Sequence, residues 1–259
     1  MFRTTILLFG LILSACTSSK PDTSHRSSGY DERVQWVVVH YTATDLPHSL
    51  HLLTQTDVSS HYLIDDRTTY RLVDEKYRAW HAGNSQWRGR TWLNSSTIGI
   101  EMVHPGYLKT VDGRQWQPWN NEQIDRLVLL LKDITSRYGL GMDSVVGHAD
   151  IAPQRKVDPG PLFPWFRLAQ EGLIRWPLHA DLQQWLPQFE LELPPPLWFQ
   201  QQLQTLGYAI VLTGEWDEQT GNVLAVLQMK YRSRLFDGKA DAETAAILHD
   251  VAKYADEDW

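Results

Sequence analysis

Val34 to Tyr41 reads VQWVVVHY, with four valines and a tryptophan in eight residues. Side chains branched at Cβ are stiff at χ1 and pack well on a pleated surface. The run is apolar at neighbouring positions, so it is expected as a buried strand. A buried strand needs a sheet around it and other elements to cover it, and the rest of the chain offers both. HSLHLLTQT, from His48, reads as a short helix. SSHYLIDD and TTYRLVDE read as two strands around a polar turn, and STIGIEMVH as a further strand. NNEQIDRLVLLLKDITSRYG is expected as a long helix capped by Asn120 or Asn121. Leu127, Leu130, Leu131 and Ile134 keep its period, and Gly139 ends it. SVVGH adds a strand and PLFPWFRLAQEGL a helix. Strands and helices interleave, so the class is α/β or α+β, with a mixed β-sheet flanked by helices.

The two ends of the chain differ from this middle. MFRTTILLFGLILSAC has one Arg, an apolar run and then small residues. The run is short for a membrane span of about 20 residues, and it reads as a secretory signal with a processing site. Leu13-Ser14-Ala15-Cys16 is similar to the bacterial lipobox, in which cleavage precedes a lipidated cysteine. Cys16 is the chain's only cysteine, so no intramolecular disulfide forms. Residues 1–16 are thus expected as a lipoprotein signal peptide, and the Ser-rich residues 17–32 as a flexible tether. Residues 177–196 hold five prolines and read as a linker. Beyond them, GEWDEQT (from Gly214) and GKADAET (from Gly238) form a weak repeat. In each, Asp can cap a following helix, so residues 197–259 are expected as a small module of three helices. The net charge of -7 gives no basic face for phosphate, which excludes nucleic acid as a partner class. Twelve tryptophans suit a core with a few left over to line a groove for sugar or peptide.

The chemistry gathers in GHADIAPQRKVDPG, residues 147–160. Its prolines and glycines preclude a regular long element, so it is expected as a shaped loop leaving a strand. His148 ends that strand, Asp158 follows ten residues on, and His40 ends the buried strand of the opening. Two imidazoles and one carboxylate leave room for water, a known pattern of catalytic zinc, although the helical HExxH motif is absent. His25, His48, His51, His179 and His249 carry no such context. Glu101 lies in an apolar strand, with its side chain on the same side as Gly99 and Val103. Such an acid is either paired with an arginine or used as a general base. Lys156 is either a solvated loop lysine or the stabiliser of a developing oxyanion. Asp150 is expected to fix the loop by hydrogen bonds.

HYTAT, SSHYLI, AWHAG, STIGIEM and GHADIAPQRKVDPGPLFPW occur in this order. Together they resemble the zinc-dependent N-acetylmuramoyl-L-alanine amidases of the Amidase_2 type, over about residues 33–176. The resemblance implies an α/β fold similar to T7 lysozyme and the peptidoglycan recognition proteins. It implies one zinc ion held by His40, His148 and Asp158, with Glu101 as catalytic base and Lys156 as transition-state stabiliser. Tyr41 and Thr42 would contact substrate, and His61, Trp80 and His81 would line the groove. The C-terminal repeat resembles a peptidoglycan-binding domain. The implied reaction is hydrolysis of the amide between N-acetylmuramic acid and L-alanine in peptidoglycan or muropeptides. Two other readings are a non-catalytic recognition protein on the same fold and a zinc peptidase of the stem peptide. The expected setting is the periplasmic face of the bacterial outer membrane, with a monomer anchored through lipid on Cys16.

Overall fold

The computed structural model describes residues 20–255. Residues 1–16, expected as a signal peptide ending at Cys16, lie outside the described residues. Residues 20–31 are exposed and carry no helix or strand. From Glu32 onward the chain forms one compact unit. In chain order its elements begin with β1 (Trp36–Tyr41), α1 (Leu46–Gln55), β2 (Tyr62–Ile64), β3 (Thr69–Arg71), β4 (Gln86–Trp87) and β5 (Arg90–Thr91). They continue with β6 (Thr97–Met102), β7 (Tyr107–Thr110), β8 (Gly113–Trp116), α2 (Asn121–Tyr138) and β9 (Val145–Gly147). Last come α3 (His148–Ile151), α4 (Trp165–Gln170), α5 (His179–Leu191), α6 (Pro196–Leu206), α7 (Glu218–Tyr231) and α8 (Ala242–Ala252).

The main sheet has five strands in the order β3-β2-β6-β1-β9. β2, β6, β1 and β9 run parallel, and only β3 is antiparallel, so the sheet is mixed. VQWVVVHY becomes a central strand, and both of its faces are covered, which explains the unbroken apolar run. Val37 and Val39 face one core with Ile98, Ile100 and the α2 residues Leu127, Leu131 and Ile134. Those three α2 side chains are fully buried, each worth about 1.5–3 kcal/mol relative to exposure. Asn120 accepts from the Glu122 N–H, and Gly139 closes the helix in the left-handed conformation, as the sequence indicates. Trp36 and Val38 point the other way. Their core includes Val146, Ala149 and Ile151, and it continues into Phe199, Leu203, Val223 and Leu224 of the C-terminal helices.

The linker expectation fails over most of residues 177–196. Residues His179–Leu191 form α5, a helix of 13 residues. Its Trp185 ring packs on His249 of α8 at 4.2 Å, and Phe189 meets Trp198 of α6 at 5.5 Å. The prolines misled because their positions matter more than their number. Pro194 and Pro195 precede α6, and Pro196 is its first residue, where no N–H is needed. Only Pro187 lies inside a helix. The three helices expected after residue 197 are present as α6, α7 and α8, and Asp217 and Asp241 cap the last two as the repeat suggested.

Candidate metal centre and catalytic cleft

The parallel strands end together, and the functional side chains stand at their carboxyl ends, the usual place for a ligand in an open α/β sheet. His40 and Glu101 are paired in register on β1 and β6. His148 opens α3, one residue past β9, so it begins a helical turn where the sequence had suggested the end of a strand. The loop after α3 returns Asp158 to the same point, and the Ala149 N–H donates to the Asp158 carbonyl at 2.8 Å.

His40 Nδ1, His148 Nδ1 and Asp158 Oδ2 converge. The two nitrogens are 2.9 Å apart, and the carboxylate oxygen lies 3.4 and 3.0 Å from them. All three residues are buried. Tetrahedral zinc with bonds of about 2.0–2.1 Å separates its ligand atoms by about 3.3 Å, close to the observed spacing. The outer ring nitrogens support the same assignment. His40 Nε2 is 3.0 Å from His81 Nδ1, and His148 Nε2 is 3.2 Å from the Ala82 carbonyl. An N–H at each of these outer positions would leave both Nδ1 lone pairs facing inward. Burial, and then His148, push the His40 ring down to about 4, so it is neutral near pH 7. Burial raises Asp158, but the His148 and His40 rings outweigh it and hold the carboxyl well below the ordinary range. Two imidazole nitrogens and one carboxylate oxygen at this spacing fit one divalent ion.

The ligands open on a cleft of about 530 Å³. Glu101 lines it, and its Oε2 has no hydrogen-bond partner among the described residues. Burial, and then the Asp158 charge, push this carboxyl up to about 8, with Lys156 opposing. It does not pair with an arginine, the alternative that the sequence left open. Lys156, Tyr41, Thr42, Trp80 and His81 line the same cleft. Trp80 is half-exposed, with the Arg78 guanidinium over its ring.

His61 is the correction. It is fully buried away from the cleft. Its Nδ1 accepts from the Gly99 N–H at 3.0 Å, and its Nε2 reaches the Tyr77 carbonyl at 3.1 Å. It ties β6 to a neighbouring loop and cannot contact a substrate. His81 reaches the cleft but is engaged with His40 on one side and with Thr97 Oγ1, at 3.1 Å, on the other. Thr97 Oγ1 donates onward to the Leu93 carbonyl. This chain of bonds gives His81 an orienting geometry. Tyr107, Lys109 and Arg155 also line the cleft and were not singled out in the sequence. Tyr107 and Lys109 belong to the β7–β8 hairpin, whose signal was the Asp112-Gly113 pair at its turn.

A mixed sheet with a buried His-His-Asp centre beside an unpaired glutamate defines a candidate metal-dependent hydrolase. Comparison with known proteins narrows this. The family model for N-acetylmuramoyl-L-alanine amidase matches residues 30–161, and that for a peptidoglycan binding domain matches residues 193–248. The N-acetylmuramoyl-L-alanine amidase AmiD of Escherichia coli (strain K12) is 39% identical over 92% of this chain and 92% of its own length. The structure of AmiD from E. coli, complexed with anhydro-N-acetylmuramic acid-L-Ala-D-gamma-Glu-L-Lys, has TM-score 0.83 and 38% identity. It covers 90% of this chain and 94% of that one. The structure of AMPDH3 from Pseudomonas aeruginosa, complexed with anhydromuramic pentapeptide, has TM-score 0.85 and 35% identity over 91% and 98%. The chain belongs to the N-acetylmuramoyl-L-alanine amidase family, and it is an enzyme of that class.

Proposed function

We propose that this chain hydrolyses the amide between the lactyl group of N-acetylmuramic acid and L-alanine, and that His40, His148 and Asp158 hold the one zinc ion the reaction uses. Muropeptides of the anhydro form are included among the substrates, because two related structures carry anhydromuramyl peptides. The observation that carries the reading is the convergence of three buried ligand atoms beside a carboxyl oxygen without a partner among the described residues. When bound, zinc supplies a Lewis acid for the amide carbonyl and makes a nearby water more acidic.

The chain's own groups account for the proton and the charge. Glu101 Oε2 takes a proton from the attacking water as the new C–O bond forms. It then gives that proton to the nitrogen of L-alanine as the C–N bond breaks. Lys156, on the wall of the same cleft, stabilises the negative charge that develops on the carbonyl oxygen. Tyr41 and Thr42, which line the cleft, contact the substrate, and the half-exposed Trp80 offers a flat face to sugar or peptide. The C-terminal helices bring the enzyme to peptidoglycan, and the lipobox ending at Cys16 places it on the periplasmic face of the outer membrane as a lipid-anchored monomer.

Mass spectrometry of purified muropeptides incubated with the protein tests the reaction. The expected product is free stem peptide beginning with L-alanine, lost with a chelator and restored by zinc. Intact muropeptides under every condition would favour a binding protein, and shortened stems still attached to sugar would favour a peptidase.

A further inference from the structure

Asp150 is a buried acid, 2% exposed, on the helical turn opened by His148. The reaction above leaves it without a part. Its Oδ2 accepts from the Gly147 N–H at 2.7 Å, which fixes the entry to α3. Its other partners come from the C-terminal helices. The Tyr208 hydroxyl donates to Asp150 Oδ1 at 2.7 Å, and Lys230 Nζ lies 3.0 Å from Oδ2. Tyr208 is buried, and the Lys230 side chain is only 9% exposed. Lys230 Nζ also sits over the Trp165 ring, 4.4 Å from its centre. A charged carboxylate can be buried at such a point only if donors answer it. Here the C-terminal module supplies two of the three. The same turn presses Ala149 and Ile151 into a core shared with Val223 and Leu224 of α7.

We propose that Tyr208 and Lys230 are positioning residues of the metal centre, acting through Asp150 on the turn that carries His148. The C-terminal module then has a second role besides contact with peptidoglycan: it completes the scaffold of a metal ligand. The mechanism is general, since partners one step removed from a ligand set its orientation, and their loss typically weakens metal binding about 10–100-fold. The proposal rests on the reading of His40, His148 and Asp158 as the zinc site.

The test uses the full chain with Tyr208→Phe and, separately, Lys230→Met. Zinc affinity is read by competition with a chromophoric chelator, turnover on a small soluble muropeptide, and association with sacculi by sedimentation. Each variant is expected to bind zinc at least about tenfold more weakly, to turn over the soluble muropeptide more slowly, and to sediment with sacculi as before. Ile247→Ala, at a buried position of α8 outside the cluster shared with the sheet, serves as the comparison, lowering the melting temperature without changing zinc affinity. Zinc affinity within twofold of the unsubstituted chain in both variants overturns the proposal, as does equal weakening by Ile247→Ala. If Lys230→Met does not fold, Tyr208→Phe decides alone, since it removes a single hydroxyl. An unsubstituted chain that binds no zinc overturns the metal assignment itself, and this proposal with it.

Discussion

A carboxyl oxygen inside a protein normally accepts a bond, and Glu101 Oε2 accepts none from the described residues. Glu101→Gln keeps the shape and removes the proposed base. It should retain zinc and lose about 10²–10⁴-fold in turnover, and a variant that keeps the wild-type rate would show that the base lies elsewhere. The same carboxyl makes a separate prediction for the metal-free protein. Its acidity falls from an ordinary value of 4.5 in the open chain to about 8 in the fold, so between those values the folded state holds the extra proton and stability declines as pH rises. His40 and His61 act in the opposite sense, but only between about 4 and their ordinary 6.5. From pH 6.5 to 8 the Glu101 effect stands apart from theirs. The urea midpoint measured with chelator present should fall across that window, and Glu101→Gln should flatten the fall. Gly99 completes the residue scale. A Cβ there would lie 2.4 Å from the His81 ring, which faces His40. Gly99→Ala should therefore displace His81 and weaken zinc binding about tenfold. An unchanged chelator titration would remove His81 from the support of His40.

Between elements, what the sequence reveals depends on how far apart the partners lie. The cap at Asn120, the stop at Gly139 and the buried strand of valines are local patterns, and each was legible. The loop from His148 to Asp158 was legible for the same reason, with the two candidate ligands ten residues apart. His81 and His40 are 41 residues apart, and Tyr208 and Asp150 are 58 apart, so no periodicity announces either pair. The family resemblance placed His61 in the groove because motif order carries no side-chain direction. Gln123 is a further case, a polar residue on the buried face of α2 that composition alone makes anomalous. Its side-chain amide donates to the carbonyls of Ile64 and Val103, at 3.0 and 2.9 Å, and so clamps the ends of β2 and β6 next to Glu101. Ile64 O also accepts from the Val103 N–H, but Gln123→Leu would still cut this clamp. The variant should lose about 1–3 kcal/mol of stability, measurable by chemical denaturation. A loss below a few tenths of a kcal/mol would mean that water replaces the amide.

At the scale of the whole molecule, the composition shift after residue 176 suggested a catalytic domain and a separate module on a linker. The packing joins them. One buried cluster runs from Trp36 and Val38 of the central strand through Ala149 and Ile151 to Leu203, Leu224 and Leu248. The Arg88 N–H donates to the Gly207 carbonyl at 2.8 Å, and Trp87 and Tyr208 meet edge to face at 5.0 Å. Helices that share a core with a sheet cannot unfold without exposing the sheet's own apolar face. Calorimetry should therefore show one cooperative transition for the region from Glu32 onward, where a tethered module would give two. Leu224→Ala tests this from the module side. It opens a cavity at a fully buried position and should remove about 2–5 kcal/mol. Each kcal/mol lowers the midpoint by about 2–4 °C in a domain of this size. The whole transition should move together, and the loss of amidase activity on heating should move with it. A second transition that alone shifts in Leu224→Ala, with amidase activity surviving beyond it, would return the C-terminal helices to the status of an independent module.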